Sequence, residues 1–229
     1  MSPYGGHFIF RLRNVPDKEL IRREMKKRSA TIKRKTKETE ITIKLIIDGA
    51  GKSKIDTGIG LLAHMLELFA FHGLFALEIK ARGDLKVDIH HTNEDIGIVL
   101  GEAFKKALGE KRGIRRFGSS SVPMEEVTAN ISIDISGRGY LKLKAESNLR
   151  TTRSISIAVD GYTLKDATHF FESFAKHLGI NLSISVGPFN PDLHTTLEPI
   201  FKALGIALDQ ATQIDPRRKG IPSTKGVID

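Results

Sequence analysis

The strongest constraint on how this 229-residue chain folds is that it repeats itself. Residues 63–72 and 168–177 align at an offset of 105 with five identities: His64/His169, Glu67/Glu172, Phe69/Phe174, Ala70/Ala175 and His72/His177. Residues 88–103 and 192–207 align at an offset of 104 with eight: Asp88/Asp192, His90/His194, Thr92/Thr196, Glu94/Glu198, Ile96/Ile200, Leu100/Leu204, Gly101/Gly205 and Ala103/Ala207. Two matching blocks in the same order and at nearly the same spacing indicate a duplicated unit. Most of these identities are not generic core residues, since six of the eight histidines stand in paired columns.

Within each unit the periodicity predicts strands plus two helices. Residues 39–47 alternate and are rich in Ile, a strand pattern, and 48–51 form a Gly-containing turn. Residues 61–72 carry a helical stripe of Leu62, Met65, Leu66, Phe69 and Ala70. Residues 77–80 and 85–89 read as strands around a turn at 82–84, and 94–108 as a second helix. The second unit reads as strands at 126–135, 140–145, 154–159 and 181–186, with helices over 163–178 and about 196–212. The expected class is α+β, with helices on one face of each sheet. The expected division is a basic N-terminal extension over 1–30, a first half-domain over 31–122 and a second over 123–229.

The formal net charge of +9 points first to nucleic acid, so its location matters. Residues 11–37 hold twelve lysines and arginines against three acids, which is the entire surplus. No aromatic residues for stacking bases are interleaved with these charges, so the segment reads as a solvated extension rather than a nucleic-acid site. The chain has no cysteine, which excludes disulfides and thiolate metal sites and fits a cytoplasmic protein. No apolar run reaches the roughly 18 residues of a membrane span, so no membrane partner is expected.

His90-His91-Thr92-Asn93-Glu94 places His90 and Glu94 four residues apart, on one face of a helix that starts there. The second unit repeats the pattern as His194, Thr195, Thr196, Leu197 and Glu198, and His64 and His169 open the preceding helices. Imidazole with carboxylate suits Mn, Fe, Zn, Ni or Co. A lone histidine on an apolar helix face is usually a hydrogen-bonded core residue; the recurrence argues for ligands in two clusters. His72 and His177 fit two roles, a cation at a helix C-terminus or a substrate contact. Glu67 and Glu172 fit a ligand or a surface position equally. The loops Arg115-Arg116-Phe117-Gly118, Ser136-Gly137-Arg138 and Pro222-Ser223-Thr224-Lys225-Gly226 each combine a cation with Gly or hydroxyl, a mixture suited to phosphate.

Taken together, these motifs resemble those of the imidazoleglycerol-phosphate dehydratases, enzymes of histidine biosynthesis. The resemblance rests on TGIGLLAHM from Thr57, HGLF from His72, Gly83-Asp84 through HHTNED, GIRRFG from Gly113, VPMEE from Val122, DISGR from Asp134, HFFESFA from His169 and PSTKGV from Pro222. It runs from about Arg34 to Val227. It implies a duplicated α+β unit with helices packed between two β-sheets, like ribosomal protein S5 domain 2. It further implies trimers assembled into a homo-oligomeric 24-mer, sites between subunits and two Mn(II) per site. The implied reaction removes water from D-erythro-imidazole-glycerol phosphate to give imidazole-acetol phosphate, a small-molecule phosphate substrate. The implied metal ligands are His64, His90, His91, Glu94, His169, His194 and Glu198. Glu38 is implied in proton transfer and His72 in contacting substrate; Arg116, Arg138, Ser223, Thr224 and Lys225 match the phosphate-binding set. The sequence departs from the family at four positions. Thr195 stands where a second histidine belongs, Ala63 replaces an Asp, and Ile89 and Leu193 precede His90 and His194 where an Asp is common. These departures predict at least one weakened metal site, and they motivate a second reading, a degenerate member that assembles and binds metal but turns over poorly.

Overall fold

A computed structural model describes residues 28–145 and 158–228, apart from 189 and 191. The first half holds β1 (Ser29–Lys35), β2 (Thr39–Ile46), β3 (Ser53–Asp56), α1 (Gly60–His72), β4 (Ala76–Gly83) and α2 (His90–Leu108). The second holds β5 (Phe117–Met124), β6 (Val127–Asp134), β7 (Tyr140–Ala145), β8 (Ala158–Val159), β9 (Tyr162–Thr163), α3 (Leu164–Leu178), β10 (Asn181–Gly187) and α4 (Leu193–Thr212). The main sheets have the same topology. In β1-β2-β4-β3 and in β5-β6-β10-β7, two antiparallel pairings are followed by one parallel pairing to the last strand.

Each sheet alternates because only one face is covered. Ile41, Ile43 and Leu45 of β2, and Val127, Ala129, Ile131 and Ile133 of β6, point inward, with polar or half-exposed residues between them. Helices fill the space between the two sheets: α2 packs on β1 and β2, α4 on β5 and β6. The helices pair across the halves, α1 with α4 and α2 with α3. Seven phenylalanines lie fully buried in this middle layer, Phe69, Phe75, Phe104, Phe170, Phe171, Phe174 and Phe201. Each contributes about 1.5–3 kcal/mol by leaving water. Phe69 and Phe174, an equivalent pair in the repeat, meet at 6.3 Å between ring centroids.

Glycine sets how closely the helices approach. A Cβ on Gly205 would lie 2.5 Å from the Phe69 carbonyl oxygen, and one on its counterpart Gly101 would lie 2.8 Å from that of Phe174. The α+β class, the two sheets and the interior helices are as expected from the sequence.

Several local expectations need correction. Residues 85–89 are a turn rather than a strand: the Asp84 carbonyl accepts from the amides of Val87 and Asp88, and Val87 is exposed. α2 starts at His90, four residues before the predicted start, because the Asp88 carboxylate accepts the His90 amide. α4 likewise starts at Leu193 behind Asp192, whose side chain caps it. β1, β3 and β5 were not predicted. Lys33 and Lys35 hide the alternation of β1, β3 is only four residues long, and Gly118, three serines and Pro123 dilute the β signal of edge strand β5. Of the strand predicted at 154–159, residues 154–157 lie outside the described part and Ala158–Val159 forms β8. The expected division between 122 and 123 falls inside β5, which pairs along its whole length with β6. Ser29 and Ala30, inside the expected extension, already pair with Ile46 and Leu45. Among the described residues no helix is long and apolar enough to cross a membrane.

Candidate metal centres

All four helices start at one pole. β3 and β4 run parallel, and their ends lead into α1 and α2. The cross-half pairing then decides which histidine meets which carboxylate. His64 of α1 lies against His194 and Glu198 of α4, with donor atoms all within 4.8 Å of one another. His194 Nε2 is 2.7 Å from Glu198 Oε2, and His64 Nε2 is 3.8 Å from the same oxygen. The second cluster is its counterpart in the repeat, although among the described residues only the first brings three donor atoms within 4.8 Å of one another. His90 Nε2 lies 3.5 Å from Glu94 Oε2, and His169 Nδ1 of α3 lies 3.1 Å from His90 Nδ1. Each cluster thus joins the helix-opening histidine of one half to the His-x-x-x-Glu of the other.

The clusters differ in charge. Lys202, one turn beyond Glu198, forms an ion pair with it, whereas the equivalent position beyond Glu94 is Ile98. Burial raises the Glu198 carboxyl, but the hydrogen bonds from Lys202 and His194 outweigh it and hold the group below the usual carboxylate range. Thr195, in the column of His91, is buried and donates its hydroxyl to Asp192 Oδ2 at 2.9 Å.

His91 joins neither cluster within the chain. Its Nδ1 faces Asp84 Oδ2 at 3.1 Å, with Glu38 Oε2 at 3.8 Å. The hydrogen bond to Asp84 raises its pKa against the opposing effect of burial, with Glu38 adding to the rise. The acid expected just before His90 is therefore absent, but Asp84 does orient an imidazole of the pair. Glu38 rides on the β1–β2 turn with its side chain 56% exposed. That turn is tied to α2 by Asp95, which accepts from Thr39 Oγ1 and from Arg34 Nε. The amide of Asp84 also donates to the Glu38 carbonyl at 3.1 Å. His72 lies at the end of α1, its pKa lowered by burial and then by Lys202. His177 is 3.6 Å from Glu102.

The phosphate candidates lie elsewhere. Arg116 forms a bidentate pair with Asp134, at 2.6 and 3.0 Å, and its Nη1 donates to the Pro222 carbonyl at 3.0 Å, so Ser223, Thr224 and Lys225 follow directly beside it. Arg138 is exposed in the turn after β6. The Arg116 amide donates to the carbonyl of Ala211, in the last turn of α4. At ~1.5 Å per helical residue, that end lies roughly 25 Å along α4 from His194.

Asp84, Asn93, Asp95, Asp134 and Lys202 bear on these sites, yet none was a candidate by sequence. Asp84, Asn93 and Asp95 stand inside quoted motifs, and Lys202 is four residues from Glu198; those spacings were the available signal.

Residues 57–208 match the sequence profile of imidazoleglycerol-phosphate dehydratase. The chain belongs to the imidazoleglycerol-phosphate dehydratase family. It is 52% identical over 201 residues to the imidazoleglycerol-phosphate dehydratase of Methanocella arvoryzae, covering 88% of this chain and 100% of the relative. Identity to that of Geobacter metallireducens is 48% over 201 residues, covering 88% of this chain and 99% of the relative. Two crystal structures share the fold. That of the Pyrococcus furiosus imidazoleglycerol-phosphate dehydratase in complex with (S)-C348 has a TM-score of 0.71 at 34% identity, covering 86% of this chain and 99% of that one. The Staphylococcus aureus imidazoleglycerol-phosphate dehydratase has a TM-score of 0.69 at 31% identity, covering 82% and 99%. As a member of this dehydratase family the protein is an enzyme, a hydro-lyase of histidine biosynthesis.

Proposed function

We propose that the protein dehydrates D-erythro-imidazole-glycerol phosphate to imidazole-acetol phosphate, using divalent cations, with Mn(II) the expected ion and two per site. The observation that carries this reading is the His64–His194–Glu198 cluster, whose donor atoms all lie within 4.8 Å of one another, with its repeat counterpart of His90, Glu94 and His169, each assembled from both halves. Their donor set, nitrogen with carboxylate oxygen and no thiolate, suits a first-row divalent ion. His64, His194 and Glu198 would hold one cation, and His90, His169 and Glu94 another, with His91 available to a neighbouring site. When bound, the cations supply Lewis acidity that favours negative charge on the substrate's imidazole ring.

The remaining work falls to side chains of this chain. Glu38, exposed beside His91, is suited to moving a proton. His72, held toward its neutral form, can share a hydrogen bond with substrate rather than a charge. Arg116, already oriented by Asp134, would grip the phosphate with Arg138, Ser223, Thr224 and Lys225. That remote grip orients the reacting carbons.

A substrate of this size does not span the roughly 25 Å between Arg116 and His194 along α4. The phosphate end of one copy must therefore serve the metal end of another, which supports an obligate homo-oligomer, with the 24-mer of trimers as the expected form. The reading needs neither nucleic acid nor membrane, and the cytoplasm is the expected compartment. Lys202 acts against the α1–α4 cluster by pairing with Glu198, so this cluster is the weaker cation site, while Thr195, in the column of His91, withholds an imidazole from a neighbouring site.

The test is turnover of the substrate by purified protein loaded with Mn(II), before and after a chelator. Turnover that is lost on chelation and restored by Mn(II) is the expected result. Turnover indifferent to the chelator would overturn metal dependence. A loaded, assembled protein with no turnover would favour the degenerate reading that Thr195 and Ala63 motivate.

A further inference from the structure

One buried polar chain near the α2–α3 cluster takes no part in the chemistry above. Tyr162 Oη donates to Asn93 Oδ1 at 2.9 Å, and Asn93 Nδ2 donates to the carbonyl of Asp166 at 2.8 Å. Both side chains are closed off from solvent, Tyr162 at 1% exposure and Asn93 at 0%. Asn93 lies in the first turn of α2, between His91 and Glu94. Asp166 lies in the first turn of α3, where it forms a capping box with Thr163, one turn before His169. The phenol, the amide and the carbonyl therefore tie β9, α2 and α3 together within a turn of the cluster. The helices touch closely there, since a Cβ on Gly97 would lie 2.8 Å from the Phe170 carbonyl oxygen.

An amide in such a place specifies register. A buried donor or acceptor left without a partner costs about 1–3 kcal/mol, so Asn93 is satisfied in one axial setting of α2 against α3 and penalised in others. A slip of one residue would move His90 past His169 by ~1.5 Å, which is large against the tolerance of a metal site. Burial, followed by the nearby Asp166 charge, pushes the Tyr162 phenol well above its ordinary range, so it remains a donor.

Among the described residues, the other half has no such device. The position equivalent to Asn93 is Leu197, fully buried, and the one equivalent to Tyr162 is Thr57, whose hydroxyl bonds to Ile59 in its own turn. We infer that Asn93 and Tyr162 are positioning residues that hold His90, Glu94 and His169 beside one another for cation binding. The α1–α4 cluster, packed through Leu197, is set without them. This inference rests on reading the clusters as cation sites.

The test uses the full-length protein stripped of metal and titrated with Mn(II), with free ion followed by electron paramagnetic resonance, in wild type, Tyr162→Phe and Asn93→Leu. Melting temperatures of the metal-free proteins are measured alongside. Wild type is expected to show two classes of site. Either substitution is expected to weaken one class about tenfold or more, the scale on which outer partners of ligands act, and to leave the other unchanged. In a His64→Ala background, the surviving class should be the one that Tyr162→Phe weakens. A purely structural role would lower the melting temperature while both dissociation constants stay put, and that result would overturn the inference. Equal weakening of both classes would overturn it as well. If wild type itself binds no Mn(II), the cation reading fails and takes the inference with it; if wild type binds normally and the variants match it, only the positioning role fails.

Discussion

At the scale of single residues, the two clusters are unequal copies of one design. His91 and Thr195 occupy the same column of the repeat, yet one is an imidazole held by Asp84 and the other a hydroxyl donated to Asp192. Thr195→His should therefore tighten one class of cation site, by roughly tenfold or more if the new imidazole binds as a ligand. Calorimetric titration with Mn(II) checks this, and two unchanged dissociation constants would count against it. His91 also makes a pH prediction. Its pKa is raised in the folded state by Asp84, so its contribution to stability is fully present below the ordinary histidine value and is lost as pH rises through the raised one. In metal-free protein, Asp84→Asn should lower the melting temperature at about pH 6 and have much less effect at about pH 9, where the imidazole is neutral in both proteins. A deficit that is the same at both pH values would argue that the Asp84 side chain acts independently of the His91 charge.

At the scale of elements, what matters is how closely the helices pair. Gly205 allows α4 to approach the last turn of α1, with its position of a missing Cβ also 2.9 Å from the Gly73 amide nitrogen. Gly60, at the start of α1, has nothing within 4 Å of that position. Gly205→Ala gains about 1 kcal/mol of helix propensity but forces the helices apart, so a net loss of about 1–2 kcal/mol is expected. Gly60→Ala is expected to be neutral or slightly stabilising. Urea denaturation of the metal-free proteins compares the two, and equal stabilities would remove close helix approach as the reason for the Gly101/Gly205 identity.

At the scale of the whole molecule, the two ends of α4 hold the residues to which the proposed reaction assigns metal and phosphate. His194 and Glu198 lie at its start, and Arg116 with the segment after Pro222 lies at its end. If a complete site draws one end from each of two copies, two inactive variants can repair one another. Arg116→Ala and His90→Ala proteins, each without turnover alone, should regain activity when dissociated and reassembled together. With random mixing, roughly a quarter of the sites would carry both intact contributions. A mixed assembly of the correct size with no activity would show that both contributions must come from one chain.

What the sequence determined by itself is what local pattern and residue identity carry. The repeat, the paired His and Glu columns, the apolar stripes of α1 and α2, the α+β class and the family were all legible there, because each is a matter of residue type and spacing along the chain. β1 and β5 were not legible, because a strand rich in lysine or serine owes its place to neighbours that pair with it rather than to its own propensity. The site was half legible. The candidate ligands were identified, but the spacing along the chain does not say that His64 meets Glu198, more than 130 residues away, while His90 meets His169. That choice belongs to the packing of α1 on α4 and α2 on α3. The same packing brought Lys202 to one cluster, turned His91 to Asp84 and buried Asn93 against Tyr162. Only the tertiary structure decides such contacts, because their free energy depends on which groups share a desolvated space, and no periodicity along the chain encodes that.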